Sequence, residues 1–131
     1  MHAIDELIKM LYAVNPQEIQ NEGIRLAREV EHIAVFILPP DSGAWENCAK
    51  ILAERDDKTL RPYLRYIFEW LMDMNYPGAF TIFERLEKYE KDWHFHFCID
   101  GCIKYAKLIN GYQWYHNLIA LIDGEDEWDK L

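Results

Sequence analysis

Apolar residues recur along almost the whole chain at the three- and four-residue spacing of an amphipathic helix. Seven such stretches can be separated, and each ends at proline, glycine or a cluster of polar residues. No stretch shows the apolar–polar alternation that is typical of a half-buried sheet. The apolar faces begin at Ile4, Ile19, Trp45, Leu60, Ala79, Phe95 and Trp114. The pattern predicts an all-α fold of six or seven helices.

Residues that start and stop helices support this division. Asn15 followed by Pro16 predicts the start of the second helix, with Asn15 as the N-cap and Pro16 in the first helical position. The apolar run 33–38, which two prolines end, is interpreted as a continuation of that helix or as an apolar connector. Asn110-Gly111 predicts the end of the sixth helix.

Two short fragments resemble each other at a separation of about 31 residues, Ile51-Leu52-Ala53-Glu54-Arg55 and Ile82-Phe83-Glu84-Arg85. Short connections between helices favour antiparallel neighbours, so this weak repeat predicts stacked helical hairpins rather than a symmetric bundle. No linker divides the chain. We expect one helical domain over residues 1–122 and an acidic C-terminal tail over 123–131 that frays.

The composition fits a globular domain and narrows the choice of partner. Of 131 residues, 50% are hydrophobic and 15% are aromatic, far too many for a disordered chain. Acidic residues outnumber basic ones 23 to 14, which gives a net charge of -9. Nucleic-acid binding needs a basic surface and is therefore not expected, whereas long-range attraction favours a basic protein partner.

Targeting and redox features point to a cytoplasmic protein. The N-terminal residues contain no basic stretch followed by an apolar one, so no signal peptide is expected. The longest apolar run, 33–38, is too short to cross a bilayer. Cys48, Cys98 and Cys102 are odd in number, which favours reduced thiols, and we expect at least two of them to be buried.

One segment contains residue types that bind zinc. On a helix, His94, Cys98 and Cys102 would lie four residues apart on one face. A structural zinc site usually has four ligands, and His116 is the only other histidine nearby in the sequence. A metal site therefore lacks an evident fourth ligand.

Apolar residues interleave with these candidate ligands. Phe95, Phe97 and Ile99 alternate with them, and the same face continues through Tyr105 and Ile109 as an apparent core stripe. The pattern favours buried thiols and partly exposed imidazoles over a metal centre. We expect no metal and no cofactor.

Glu69 and Asp73 form the most suggestive carboxylate pair. Four residues apart on a helix, they would share one face, where like charges cost a few tenths of a kcal/mol. A bound cation or a basic partner would offset that cost, although solvated helix faces often carry such pairs. The chain has no P-loop, G-x-S-x-G or dinucleotide-binding motif, so an enzyme is not expected.

Two longer runs carry a family resemblance. The run W-E-N-C-A-K-I-L occupies residues 45–52, and W-L-M-D-M-N-Y-P-G-A occupies residues 70–79. Trp114 and Asn117 follow in the last helix. These runs resemble a bacterial family of small domains of unknown function, whose signature is a W-E-N-C-A-K-I-L-like helix followed by W-L-x-D-x-N-W-P-G-A.

The resemblance extends over about residues 16–122, with two departures. Tyr76 stands where the family usually has tryptophan, and the segment 92–102 is unusually rich in aromatic residues, histidine and cysteine. The resemblance implies a HEAT-like fold of helical hairpins. It does not imply catalysis, because such families are not known as enzymes.

The signature itself is interpreted mainly as structural. Asn75 is placed to cap the next helix, with Pro77 in its first turn and Gly78 allowing a close backbone approach. Asp73 either bonds backbone amides of the same turn or faces solvent as a ligand group.

The tryptophans of the signature are predicted to be core anchors. Trp45 and Trp70 lie on the apolar stripes of two neighbouring helices, so both should be largely buried. Trp70 and Tyr76 should pack across the turn. The third and fourth helices are then expected to form a hairpin.

These observations leave two functional hypotheses. The first is a non-catalytic protein-binding domain, in its most specific form an immunity protein that neutralises a basic toxin, with Glu46, Glu69 and Asp73 contacting the partner. The alternative is a small metal-binding protein or enzyme that uses His94, Cys98 and Cys102, or the Glu69/Asp73 pair.

Overall fold

The computed structural model describes residues 3–124 and 127–128, and this part of the chain is all-α and contains no strand. Eight α-helices are present there. Their bounds are α1 Ile4–Met10, α2 Gln17–Ala27, α3 Trp45–Ala53, α4 Asp57–Leu60, α5 Leu64–Ile67, α6 Ala79–Glu87, α7 Trp93–Leu108 and α8 Tyr112–Leu121. The predicted helical class is confirmed.

Helices α4 and α5 belong to one irregular segment, residues 57–72, in which α-helix alternates with 3₁₀-helix at Arg61–Tyr63 and Phe68–Met72. Pro62 cannot donate a backbone hydrogen bond, which contributes to the first interruption. Counted as one, this segment brings the number of α-helical segments in the described residues to seven, within the predicted six or seven.

The apolar run 33–38 is an apolar connector. Its first four residues, Ile33–Phe36, form a short 3₁₀-helix in which Ile33 and Phe36 are fully buried. Because the run is anchored by these two side chains, it joins the second helix to the third through the core rather than across the surface.

Four helices pack in chain order, α2 on α3, α3 on α6, and α6 on α8. The remaining elements, which are α1, Ile33–Phe36, the segment 57–72 and α7, each pack on one of these four helices. The expected hairpin of the third and fourth helices is not the principal contact, since α3 packs chiefly on α6.

Side-chain amides and guanidinium groups donate hydrogen bonds to the carbonyls at the C-terminal ends of helices. Asn47, a buried polar residue, donates from Nδ2 to the Leu11 carbonyl at the end of α1, at 2.8 Å. Arg55 donates from Nη2 to the carbonyls of Ala27 and Val30 beyond α2, at 2.9 and 3.1 Å. Carbonyls at a helix C-terminus lack intrahelical partners, so these donors satisfy groups that would otherwise be costly to bury.

Arg85 makes a similar contact about 30 residues later. Arg85 donates from Nη2 to the Arg55 carbonyl at 2.9 Å and to Asp57 Oδ1 at 2.6 Å. The second carboxylate oxygen of Asp57 accepts from the Glu90 amide at 3.0 Å. The two fragments that resemble each other in the sequence thus end in arginines that each bond backbone carbonyls of an earlier segment.

Two side chains of helix α8 donate in a similar way to carbonyls of the irregular segment. Trp114 donates from Nε1 to the Phe68 carbonyl at 3.0 Å, and Asn117 donates from Nδ2 to the Leu71 carbonyl at 2.8 Å. Both acceptors lie in the 3₁₀ turn Phe68–Met72. This turn is therefore held against α8 by two polar contacts as well as by apolar packing.

The predicted N-cap of the second helix is wrong. Pro16 occupies the N-cap position of α2, and Asn15 lies one residue outside the helix. Asn15 instead donates from Nδ2 to the carbonyls of Lys9 and Met10, at 2.6 and 3.2 Å, and so caps the end of α1. Because the connection between α1 and α2 is short, the Asn15 side chain reaches the C-terminal carbonyls of α1 rather than the N-terminal amides of α2.

The acidic tail is only partly described. At its described positions, Trp128 packs edge-on against Tyr112 and Tyr115, with ring centroids 5.2 and 5.3 Å apart. The expected fraying of the tail stays a prediction. The Glu127 amide donates to the Tyr115 hydroxyl at 2.7 Å. Residues 125–126 and 129–131 of the predicted tail lie outside the described residues.

The turn between the irregular segment and α6 is held by aromatic residues. Trp70 is fully buried and donates from Nε1 to the Pro77 carbonyl at 2.8 Å. Trp45, which is partly buried, lies edge-on to Trp70 and to Tyr76, with centroids 6.2 and 5.2 Å apart. The predicted burial is confirmed for Trp70, and Trp45 is the link between Trp70 and Tyr76.

Two signature residues of the turn have other roles than predicted. Gly78, not Asn75, is the N-cap of α6, and Pro77 precedes the helix. The Asn75 amide donates to Asp73 Oδ1 at 2.8 Å, so Asp73 has the first of its two predicted roles.

The predicted close approach at Gly78 is confirmed. Gly78 has a φ of 85°, which glycine adopts more readily than other residues. A Cβ atom there would lie 2.5 Å from the Ala49 Cβ and 3.0 Å from the Trp45 carbonyl oxygen. Glycine thus allows the start of α6 to pack directly on α3.

Among the described residues, no helix combines the length and the apolar character that crossing a membrane requires.

Replacement of Trp70 by alanine should lower the free energy of unfolding by about 3–5 kcal/mol, because it removes a fully buried side chain and its hydrogen bond. Urea unfolding followed by circular dichroism measures the change. Phe80→Ala is the matched control, since Phe80 is 67% exposed on α6 and its loss should cost less than about 0.5 kcal/mol. A loss below about 1 kcal/mol for Trp70→Ala would contradict its role as a core anchor.

Gly78→Ala should destabilise the protein by more than about 2 kcal/mol, because the new methyl group overlaps Ala49 at a positive φ. Gly101→Ala serves as the comparison, since a Cβ atom there would meet nothing within 4 Å. In the interior of a helix that second change should stabilise by up to about 1 kcal/mol. Thermal unfolding of both variants at low protein concentration distinguishes the two effects, and equal melting temperatures would rule out the contact with α3.

Candidate binding groove

A groove runs between the wall formed by residues 65–75 and the α7–α8 hairpin. Its first part is a cleft of about 510 Å³, lined by Arg65 and Glu69 on one side and by Phe97, Tyr105 and Trp114 on the other. The walls of this cleft are therefore both apolar and charged.

Two further clefts extend the groove. A middle cleft of about 370 Å³ shares Met72 and Trp114 with the first one. A third, of about 290 Å³, contains Asp73 and shares Tyr112 and Gln113 with the middle cleft. The three clefts therefore adjoin, with Glu69 in the first and Asp73 in the third.

The two carboxylates do not share a helix face as predicted. Glu69 lies in the 3₁₀ turn Phe68–Met72, whereas Asp73 follows it in extended conformation, with φ -146° and ψ 117°. The α-helical spacing of four residues does not apply here. The chain instead directs Glu69 and Asp73 into separate parts of one groove.

Glu46, the third predicted contact residue, is outside the groove. It is exposed in the first turn of α3 and does not line any of the three clefts. The structure thus brings together two of the three predicted contact residues.

An ion pair fixes the position of α7, which forms one wall of the groove. Asp92 is the N-cap of α7 and accepts from the Phe95 amide at 2.9 Å. Its other oxygen accepts from Arg61 Nη1 at 2.7 Å. The Phe95 amide, and then Arg61, hold the pKa of the Asp92 carboxyl below its usual value. The Arg61 contact connects α7 to the irregular segment, and the Phe95 contact caps α7.

The candidate zinc ligands meet only in part. His94 Nε2 lies 3.6 Å from Cys98 Sγ, and Cys102 Sγ donates to the Arg65 carbonyl at 3.7 Å. Within residues 3–124 and 127–128, no group of three or more histidine, cysteine or acidic side chains is arranged to hold a metal ion.

The cysteines are free, and two of the three, Cys48 and Cys102, are buried, which confirms the prediction that at least two would be. Burial raises the pKa of both of these thiols to about 12. Burial also raises the pKa of Cys98, which is partly exposed beside His94. At neutral pH the thiols therefore stay protonated, and a protonated thiol is a poor nucleophile.

The exposed residues of α7 are the feature that sequence reasoning missed. Phe95 and Ile99 are buried as expected, but Phe97 is 73% exposed, and Tyr105 and Ile109 are about half exposed. The apparent core stripe was wrong because the buried face of α7 passes through Phe95, Ile99, Cys102 and Ala106. The unusual aromatic content of 92–102 was the available signal.

Comparison of the chain with protein-family models, curated proteins and solved structures finds no match. The family resemblance of the signature runs therefore stays a prediction.

We predict that purified protein contains no stoichiometric zinc at His94, Cys98 and Cys102, because the Cys102 thiol is directed to a backbone carbonyl and its pKa is raised. Elemental analysis after purification without chelators tests this. One zinc per chain that disappears in Cys98→Ser, but persists in Cys48→Ser, would contradict the prediction.

Proposed function

We propose that this chain is a non-catalytic protein-binding domain, a HEAT-like stack of helical hairpins whose groove accepts a basic segment of a partner protein. An immunity protein that neutralises a basic toxin is the most specific form of this proposal. The observation that carries it is the groove itself, which has Glu69 and Asp73 in its outer parts and an apolar floor between them.

The order of the helices supports the stacked-hairpin architecture. Helices α2, α3, α6 and α8 pack in chain order, and a second set of helical segments lies against them. The contacts of Arg55 and Arg85 with the preceding repeat are what a repeated unit requires at each junction.

The chemistry of the groove supports a basic polypeptide rather than a small substrate. Met72 and Trp114 line both the first and the middle cleft, so an apolar side chain can pack between two cationic ones. Arg65 lies on the same wall as Glu69, whereas the described lining of the Asp73 cleft includes His116 and no lysine or arginine.

The excess of acidic residues is not removed by the ion pairs. Arg28, Arg61 and Arg85 are paired with Glu54, Asp92 and Asp57. Each pair neutralises one acid and one base, so the net charge of -9 remains on the other residues. An acidic surface of this kind accelerates association with a basic protein.

The alternative of a small enzyme has less support. A cysteine nucleophile needs a lowered thiol pKa, whereas burial raises the pKa of all three thiols. No second candidate function is therefore proposed.

The proposal predicts how binding depends on charge. After capture of a partner on the immobilised chain and its identification by mass spectrometry, association should slow as salt rises, because ions screen exposed charges over about 10 Å at 0.1 M. Glu69→Lys combined with Asp73→Asn should lower the association rate constant by about tenfold and change dissociation less. Surface plasmon resonance measures both rates. Asn is chosen at position 73 because it preserves an acceptor for the Asn75 amide.

Glu18→Lys is the matched control, since Glu18 is exposed in the first turn of α2 and does not line the groove. Glu46→Lys tests the remaining predicted contact residue. If the Glu69/Asp73 variant binds a captured basic partner as fast as Glu18→Lys does, the groove is not the binding surface. A captured partner that is acidic would contradict the proposed partner class.

A further inference from the structure

The outward face of α7 carries a stripe of apolar side chains that are exposed in the described part of the chain. Trp93, Phe97 and Leu108 are 72%, 73% and 84% exposed. At about 100° per residue, these three side chains and the exposed Asp100 and Lys104 lie within an arc of about 80°. Their spacing of four, three, four and four residues is close to the seam of a two-helix coiled coil.

The charges on this face are balanced, unlike those of the whole chain. Asp100 and Lys104 are the only exposed acidic and basic residues of α7. Neither has a hydrogen-bond or ion-pair partner within the described part of the chain. In a protein of net charge -9, this face is where a second copy meets little electrostatic repulsion.

We propose that the outward face of α7 pairs with the same face of a second copy, antiparallel and about a twofold axis, to form a homodimer. In the antiparallel arrangement centred near residue 102, Asp100 of each copy faces Lys104 of the other, and Phe97 lies beside Leu108 of the other. A parallel pair, or an antiparallel pair shifted to bring Asp100 opposite itself, sets like charges against each other. The charges therefore select one register of a self-complementary interface.

Two further observations fit this interface. A Cβ atom at Gly101 would meet nothing within 4 Å, so the single chain contains no contact that requires glycine there. Glycine near the crossing point allows two helices to approach closely. The guanidinium carbon of Arg61 lies 5.7 Å from the centre of the Trp93 ring, which holds one end of the stripe in place.

The interface goes beyond the proposed function and is tested without any partner. Sedimentation equilibrium of the whole chain over a range of concentrations should give a mass that rises from 15.7 kDa toward twice that value. Asp100→Lys and Lys104→Asp should each raise the dimer dissociation constant by about tenfold or more, because each sets like charges face to face. The double variant exchanges the two charges and should restore the dissociation constant to within about threefold of the original.

The exposed pair Glu84 and Lys88 on and just after α6 has the same spacing and provides the matched control. Glu84→Lys and Lys88→Asp should leave the dissociation constant unchanged. Phe97→Ser should abolish the dimer, and circular dichroism checks that each variant keeps its helix content. A chain that stays monomeric at all concentrations would overturn the proposal, and so would a dimer that tolerates both single reversals or is not restored by the exchange.

Discussion

Short helices leave many backbone carbonyls without partners, and this fold depends on side chains that supply them. Four carbonyls at the end of each α-helix have no intrahelical donor, and helices here are as short as four residues. Asn47, Arg55, Arg85 and Asn117 donate to carbonyls at or near the ends of earlier helical segments. Each bond satisfies a backbone carbonyl and also joins two neighbouring segments.

In the turn after the irregular segment, a side chain again donates to a backbone carbonyl. Trp70 fills the core and its indole N–H reaches the Pro77 carbonyl, while Gly78 lets α6 approach α3 at Ala49. A larger residue at position 78 would push α6 away from α3. Asp73 belongs to the same turn, so the conformation of the turn also positions Asp73 in the third cleft of the groove.

The groove and the exposed face of α7 divide the molecular surface into two regions with different chemistry. The groove combines carboxylates with an apolar floor, which suits a basic partner. The α7 face combines balanced charges with aromatic residues, which suits a second copy. Phe97 lines the groove and lies on the α7 face, so the two surfaces meet along one edge of the helix.

The sequence alone determined the helical class, the number of helical segments, the free thiols and the need for glycine at position 78, because these follow from local periodicity and composition. Tertiary structure decided which carbonyl each polar side chain reaches, so Asn15 and Asn75 did not cap the helices ahead of them. It also decided that Glu69 and Asp73 enter separate clefts and that Phe97 faces solvent. The physical reason is that local pattern places a residue on a face, whereas only packing determines which faces are covered.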